Sequence, residues 1–182
     1  ANPDDLTPEY LNLLKQTPIN RLSIGTQSFS DEVLKLMNRR HTAKQAIESI
    51  ENAATIGFNN ITIDLIYGIP GQSLQTWEQQ LNTALALPAQ HLSAYHLTFE
   101  PHTAFGHKLR KGQMHEIPEN DSYAEFELLL NKTQATGFEH YEISNFAKPG
   151  YRSRHNSAYW STTPYLGLGP SAHSFNGSER RW

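Results

Sequence analysis

Three short runs rich in apolar and β-branched residues, at 21–27, 61–67 and 92–99, are separated by segments with helical spacing. This alternation restricts the fold more than any other feature of the chain. Strand, helix and strand joined by connections of crossover length make parallel βαβ units. The middle run, Ile61-Thr62-Ile63-Asp64-Leu65-Ile66-Tyr67, reads as a buried parallel strand. Asp64 breaks its pattern, with apolar neighbours on both sides. An unpaired charge is costly to bury, so Asp64 requires hydrogen-bond donors, from the protein or from a ligand. The turn Gly68-Ile69-Pro70-Gly71 follows at the carboxyl end of the strand, where α/β folds place their ligands. A ligand contact and an Asp that supports a neighbouring loop both satisfy these observations.

The helical segments carry start and stop signals. Thr7 with Pro8 opens a helix to about Lys15, with Leu11 and Leu14 toward the core. Ser30 opens a short one, with Asp31 and Glu32 in the first turn and Val33, Leu34 and Met37 as its apolar face. Thr42 and Gln45 form a capping box for a helix through Ile47 and Ile50 that stops at Gly57. Ser73 opens the next, with Leu74, Trp77, Leu81 and Leu85 at helical spacing and Pro88 as terminator. Three strands cannot close a barrel. The expected class is α/β, either a partial TIM-like (β/α) barrel, present as an arc of parallel strands with helices outside, or a doubly wound sheet.

Beyond Pro101 the pattern changes. A polar stretch reads as a loop or lid, Ser122 with Glu125 reads as a capping box for a helix to Gly137, and residues 139–146 alternate like a half-exposed strand. Residues 151–182 are rich in aromatics, Gly, Ser and His, with little helical period. The expected division is residues 1–110 for the arc and 111–182 for a small α+β extension.

With 182 residues the chain can build a proper core. A net charge of −3 without a basic run argues against nucleic acid or an acidic membrane surface as partner. No apolar stretch approaches the roughly 18 residues of a spanning helix, and no signal peptide opens the chain. There is no cysteine, hence no disulfide and no thiolate metal site. Ala1-Asn2-Pro3-Asp4-Asp5 reads like the interior of a longer protein.

Four groups of side chains could carry chemistry. Gln27 closes the first strand and, with Asp64 on the neighbouring strand, can face one pocket. Each is balanced between ligand contact and loop support. Arg39 could take a ligand carboxylate bidentately, although a cation at the end of a short helix is first explained by the helix dipole. His91, His102, His107, His115 and His140 read as surface residues, and periodicity does not settle His96. His155 stands beside Tyr159 and Trp160, a setting that suits an axial ligand to a flat macrocycle. A hydrogen-bonded structural His in an aromatic cluster explains it as well, and on residue pattern alone explains it better.

Residues 21–29 (RLSIGTQSF), 38–41 (NRRH), 63–72 (IDLIYGIPGQ), 141–146 (YEISNF) and 155–160 (HNSAYW), in this order, resemble one family. They are similar to the radical S-adenosyl-L-methionine (SAM) proteins related to oxygen-independent coproporphyrinogen III oxidase, and within these to a haem-chaperone branch. The resemblance runs over essentially the whole chain. It implies a partial radical SAM barrel that holds SAM and a 4Fe-4S cluster. By motif position it assigns Gln27 and Arg39 to the methionine part of SAM, Asp64 to the ribose hydroxyls and Ile66 to the adenine. It makes His155, in an HNxxYW motif, the ligand of haem iron. The family's cluster ligands form a CxxxCxxC motif that this chain lacks, so the resemblance places the cluster in an N-terminal part of a longer parent, with a C-terminal helical domain also outside the chain. The piece by itself is expected to perform no radical chemistry.

The branch implies binding of haem and its delivery to a haem-acceptor protein, in the cytoplasm, with membrane contact only through the acceptor. The oxidase branch implies instead radical decarboxylation of two propionates of coproporphyrinogen III to vinyl groups. The glutamine and arginine segments and the HNxxYW stretch resemble the chaperone pattern more closely.

Overall fold

All four helix starts read from the first half of the chain are formed by side-chain caps. The structure, a computed structural model, describes residues 1–182. Thr7 accepts from the Tyr10 amide to open α1 (Pro8–Lys15), and Ser30 accepts from Val33 to open α2 (Asp31–Leu36). Thr42 and Gln45 complete the reciprocal capping box of α3 (Ala43–Ile56), and Ser73 caps α4 (Leu74–Ala86). Helix α3 ends at Gly57, whose φ of 103° is the left-handed conformation that a side chain would strain.

Between these helices run β1 (Leu22–Gln27), β2 (Ile61–Tyr67) and β3 (His91–His96), all parallel, with Ile24 opposite Ile63 and Ile63 opposite Leu92. Beyond them the chain forms α5 (Ala104–Arg110), α6 (Glu119–Ala135), β4 (Glu139–His140) and β5 (Asn145–Ala147). The sheet order is β1-β2-β3-β5-β4, with β5 antiparallel to both β3 and β4. This is the expected α/β arc: parallel strands with helices on one face, and no closed barrel.

The second half differs from its sequence pattern in three places. The polar stretch after Pro101 is partly helical, because Thr103 caps α5 by accepting from Gly106. Helix α6 begins at Glu119, ahead of the expected Ser122 cap, with Pro118 at its N-cap and Glu119 and Asp121 in the first turn. The fixed φ of proline and two acids near the positive end of the dipole favour that start. Residues 139–146 turn back on themselves, so one expected strand becomes the two short strands β4 and β5.

The two faces of the sheet have opposite chemistry. Leu22, Ile24, Ile61, Ile63, Leu65, Leu92, Ala94 and Phe146 point into one core, which also takes Leu11 of α1, Ile50 of α3, Trp77 and Leu81 of α4 and Leu129 of α6. The alternate residues, Ser23, Gly25 and Gln27 on β1, Thr62, Asp64 and Ile66 on β2, and Ser93 and Tyr95 on β3, form the other face.

The chain divides into two compact units, Ala1–Tyr151 and Arg152–Trp182. The second contains α7 (Arg154–Trp160), β6 (Ser174–Phe175) and β7 (Arg180–Arg181). Helix α7 buries none of its residues, which is why no helical period marks it in the sequence.

Candidate functional site: the polar face of the parallel sheet

Asp64 lies midway along the polar face of β2, flanked by Ser23 on β1 and Ser93 on β3. The Ser23 hydroxyl contacts both carboxylate oxygens, at 3.2 and 3.0 Å. Burial pushes the Asp64 carboxyl above the usual carboxylate range, against the pull of Ser23, Ser93 and the more distant Arg21 guanidinium. Ser93 gives its own hydroxyl proton to Asn145 at 2.7 Å, so Ser23 is the one hydroxyl that donates to the carboxylate, a thin donor set for a group with about four lone-pair sites. The arrangement therefore leaves acceptor capacity directed away from the core.

Two residues along, Ile66 shares the face and is half-buried. Gln27 ends β1 on the neighbouring strand, opposite Leu65, after a register shift that begins at Ile24. Its φ of 65° is a left-handed conformation at a residue with a side chain. Such strain is held only where surrounding contacts impose it, and it recurs at binding sites. The contacts here are identifiable. The Gln80 side-chain oxygen accepts from the Ser28 hydroxyl at 2.6 Å and from the Phe29 amide at 3.0 Å. The Gln80 amide nitrogen donates to Gln72 at 2.7 Å. One side chain on α4 thus ties the turn after β1 to the turn after β2. Its buried neighbours Trp77, Leu81 and Ala84 make it read as a core position, and an isolated Gln there is the signal that sequence reasoning passed over.

The Gly68 turn is fixed from two sides. The Gly68 amide donates to Glu125 of α6 at 2.7 Å, so Glu125 serves the site instead of capping its own helix. A Cβ on Gly68 would stand 2.5 Å from the His96 ring, and the φ of 76° there also excludes most side chains. A cleft of about 410 Å³ at this end is lined by Tyr67, His96, Tyr123, Phe126 and Ile143 among others. Gln27, Asp64 and Ile66 are not among its walls.

Arg39 follows α2, held by its backbone amide to Leu34 at 2.8 Å. Its guanidinium makes no ion pair or hydrogen bond with the rest of the protein, whereas Arg40 pairs with Asp4 at 2.9 Å and Asp5 at 3.1 Å. His41 Nε2 lies 3.0 Å from the Thr26 carbonyl and anchors this segment to the end of β1. So Asp64, Ile66 and Gln27 gather on adjacent strands, and Arg39 stands apart from them, bonded to none.

Of the five histidines read as surface residues, His91 is fully buried. Its Nε2 meets the Tyr141 hydroxyl at 2.7 Å, and its Nδ1 is buried without a partner. Burial, then the Arg21 charge, lower its pKa to about 3. Arg21 itself bonds Thr62 at 2.6 Å. Tyr141 covers His91, and that covering depends on the β4–β5 reversal, which local sequence does not reveal.

In the second unit His155 is exposed and meets Tyr159 edge-on at 5.1 Å. Tyr159 contacts Tyr165 at 5.3 Å, and Tyr165 contacts Phe175 at 6.1 Å.

Residues 1–84 match the model of the Radical SAM superfamily. The protein named "Heme chaperone HemW" in Bacillus subtilis is 46% identical over 180 residues, covering 99% of this chain and 48% of that protein. The Escherichia coli protein of the same name is 37% identical over 174 residues, covering 95% of this chain and 45% of its own length. "Radical S-adenosyl methionine domain-containing protein 1, mitochondrial" of Mus musculus is 37% identical over 174 residues, 95% of this chain and 39% of that one. The chain spans about half the length of these relatives or less. Among solved structures, the coproporphyrinogen III oxidase of Escherichia coli, described as a radical SAM enzyme, superposes with a TM-score of 0.80 over 97% of this chain and 43% of its own, at 24% identity. That likeness is one of fold. Residues 1–84 thus carry the radical SAM match, and over nearly its whole length the chain is similar to the HemW proteins.

The residues present fit the organic cofactor of that family better than its cluster. An under-satisfied carboxylate, a strained glutamine and an unpaired guanidinium are chemically suited to ribose hydroxyls, an amine and a carboxylate. For a cluster the chain offers no thiolate, and no group of three His, Asp or Glu is placed to hold a metal. No step can be built through a cluster on these residues.

Proposed function

We propose that this chain is the SAM-binding and haem-handling portion of a protein that binds haem and delivers it to an acceptor protein. The observation that carries the reading is similarity to HemW proteins over nearly the whole chain, 46% identity over 180 residues and 37% over 174. Gln27 and Arg39 would hold the methionine part of SAM, Asp64 the ribose hydroxyls and Ile66 the adenine. The half-satisfied Asp64 and the free Arg39 support those roles. His155 would ligate haem iron, and its exposure beside Tyr159 leaves the imidazole able to do so. The reading includes a cytoplasmic setting, a 4Fe-4S cluster held by other residues of the parent protein, and membrane contact only through the acceptor.

Haemin titration of wild type and His155→Ala, followed by the Soret band, tests it. The expected result is a stoichiometric band in the wild type that is lost or shifted in the variant. Identical spectra would remove His155 from the site. Absence of any band would move the reading to the oxidase alternative, which SAM cleavage and porphyrinogen turnover by the cluster-loaded parent would then have to show.

A further inference from the structure

The second unit has a charge unlike the rest of the chain. Residues 152–182 contain four arginines against one glutamate, a net +3, while the whole chain carries −3. They also expose large apolar groups: Leu166 and Leu168 are 77 and 84% accessible, and Trp160 59%. Exposed apolar surface rimmed with one sign of charge marks a binding surface for an amphipathic ligand of the opposite sign.

Strand pairing decides which side chains share a face. Phe175 lies opposite Arg180 and Ser174 opposite Arg181 in the β6–β7 ladder, and Tyr165 bridges to Phe175. Directly opposed residues of an antiparallel pair project to the same side. Tyr165, Phe175 and Arg180 therefore share one face and Arg181 takes the other. One step outward, His173 and Trp182 are in ring contact at 5.6 Å on the Phe175 side. The aromatic row from Phe175 through Tyr165 and Tyr159 ends at His155. Arg181 is taken by Glu179 at 2.9 Å, whereas Arg180 has no acidic partner.

We propose that this aromatic face of residues 152–182 is a seat for a flat tetrapyrrole dicarboxylate, with Arg180 pairing a propionate. The inference rests on the haem-binding reading and adds to it the ligand's anionic arms and the residue that recognises them. Aromatic rings offer their faces to the macrocycle, and a free guanidinium is the side chain suited to a carboxylate. Arg181, equal in charge and adjacent in sequence, points away and serves as an internal control.

The test is haemin binding to the full 182-residue chain, compared with Arg180→Ala and Arg181→Ala and with haemin dimethyl ester as second ligand. Loss of one charge-assisted pair corresponds to about a tenfold rise in Kd. Arg180→Ala should show that rise, Arg181→Ala should stay near wild type, and the wild type should prefer haemin over the ester by a similar factor. In Arg180→Ala that preference should disappear. Equal effects of the two substitutions, or equal affinity of the wild type for acid and ester, would overturn the proposal. So would haemin binding that ignores Arg180 while the chain sediments with phosphatidylglycerol vesicles, which gives the face to an anionic lipid surface. No haemin binding by the wild type would instead overturn the haem reading beneath it. The ester comparison needs no variant, so a misfolded substitution cannot decide the outcome.

Discussion

Asp64 holds a carboxylate where the fold would be more stable with a neutral group. Burial raises its pKa, so the folded chain binds a proton more readily than the unfolded one. Stability is then lost as pH rises from the unfolded value through the folded one, and the cost is fully present above the folded value. Asp64→Asn keeps the shape and removes the charge. We expect it to raise stability at pH 7 by about 1 kcal/mol, the usual gain when a strained functional group is neutralised, and to abolish SAM binding. Thermal melts and equilibrium binding of SAM check both halves. A variant that is no more stable would mean that Ser23 and its neighbours satisfy the carboxylate unaided. Asp64 was legible in sequence because a charge within an apolar strand violates the cost of burial. Arg39 was not, since a cation ending a helix is its own explanation, and only the free guanidinium in the fold singles it out. His173 and Arg180 were invisible until strand pairing assigned their face.

At the level of elements, what binds the two motif turns into one site is a helix side chain that belongs to neither. Gln80 on α4 accepts from Ser28 and Phe29 of one turn and donates to Gln72 of the other. Gln80→Leu would leave the Ser28 hydroxyl proton, the Phe29 amide N–H and the Gln72 side-chain carbonyl without the partner that Gln80 gives them. Each such group costs about 1–3 kcal/mol. The expected stability loss is about 2 kcal/mol, because relaxation lets water reach part of the set. Gln27 loses its imposed conformation at the same time. SAM affinity should therefore fall more in Gln80→Leu than in Gln80→Glu, which keeps the acceptor for Ser28 and Phe29. Equal affinity in both variants would sink the positioning role. Helix caps and parallel strands in the first half were readable because the signals are local: Thr7, Ser30, Thr42 and Ser73 each bond the amide three positions into their own helix. The β4–β5 reversal and the use of Glu125 on Gly68 depend on partners far along the chain. Short-range grammar cannot supply them.

Across the whole molecule, three buried ionisable groups set how the fold responds to acid, and they do not act in one direction. Asp64 and Glu125 have raised pKa values, both chiefly through burial. As pH falls they accept protons before the unfolded chain does, which favours the folded state. His91 opposes them. Its pKa is lowered to about 3 by burial and then by Arg21, against about 6.5 in an unfolded chain. Between those values the unfolded chain holds a proton that the folded chain refuses, so stability falls with decreasing pH by up to about 1.4 kcal/mol per pH unit. The window opens near pH 6.5, above the range where carboxylates begin to titrate in the unfolded state. His91→Gln retains a hydrogen-bonding partner for Tyr141 and removes the titration. In urea unfolding between pH 7 and 5, the wild type should lose stability relative to His91→Gln, which keeps Asp64 and Glu125 but lacks the His91 titration. At pH 7 the variant should itself be less stable, since Gln does not refill the space of a fully buried imidazole. The two curves should therefore converge as pH falls. Parallel curves would show that His91 is protonated in the folded chain, which its partnerless, buried Nδ1 argues against.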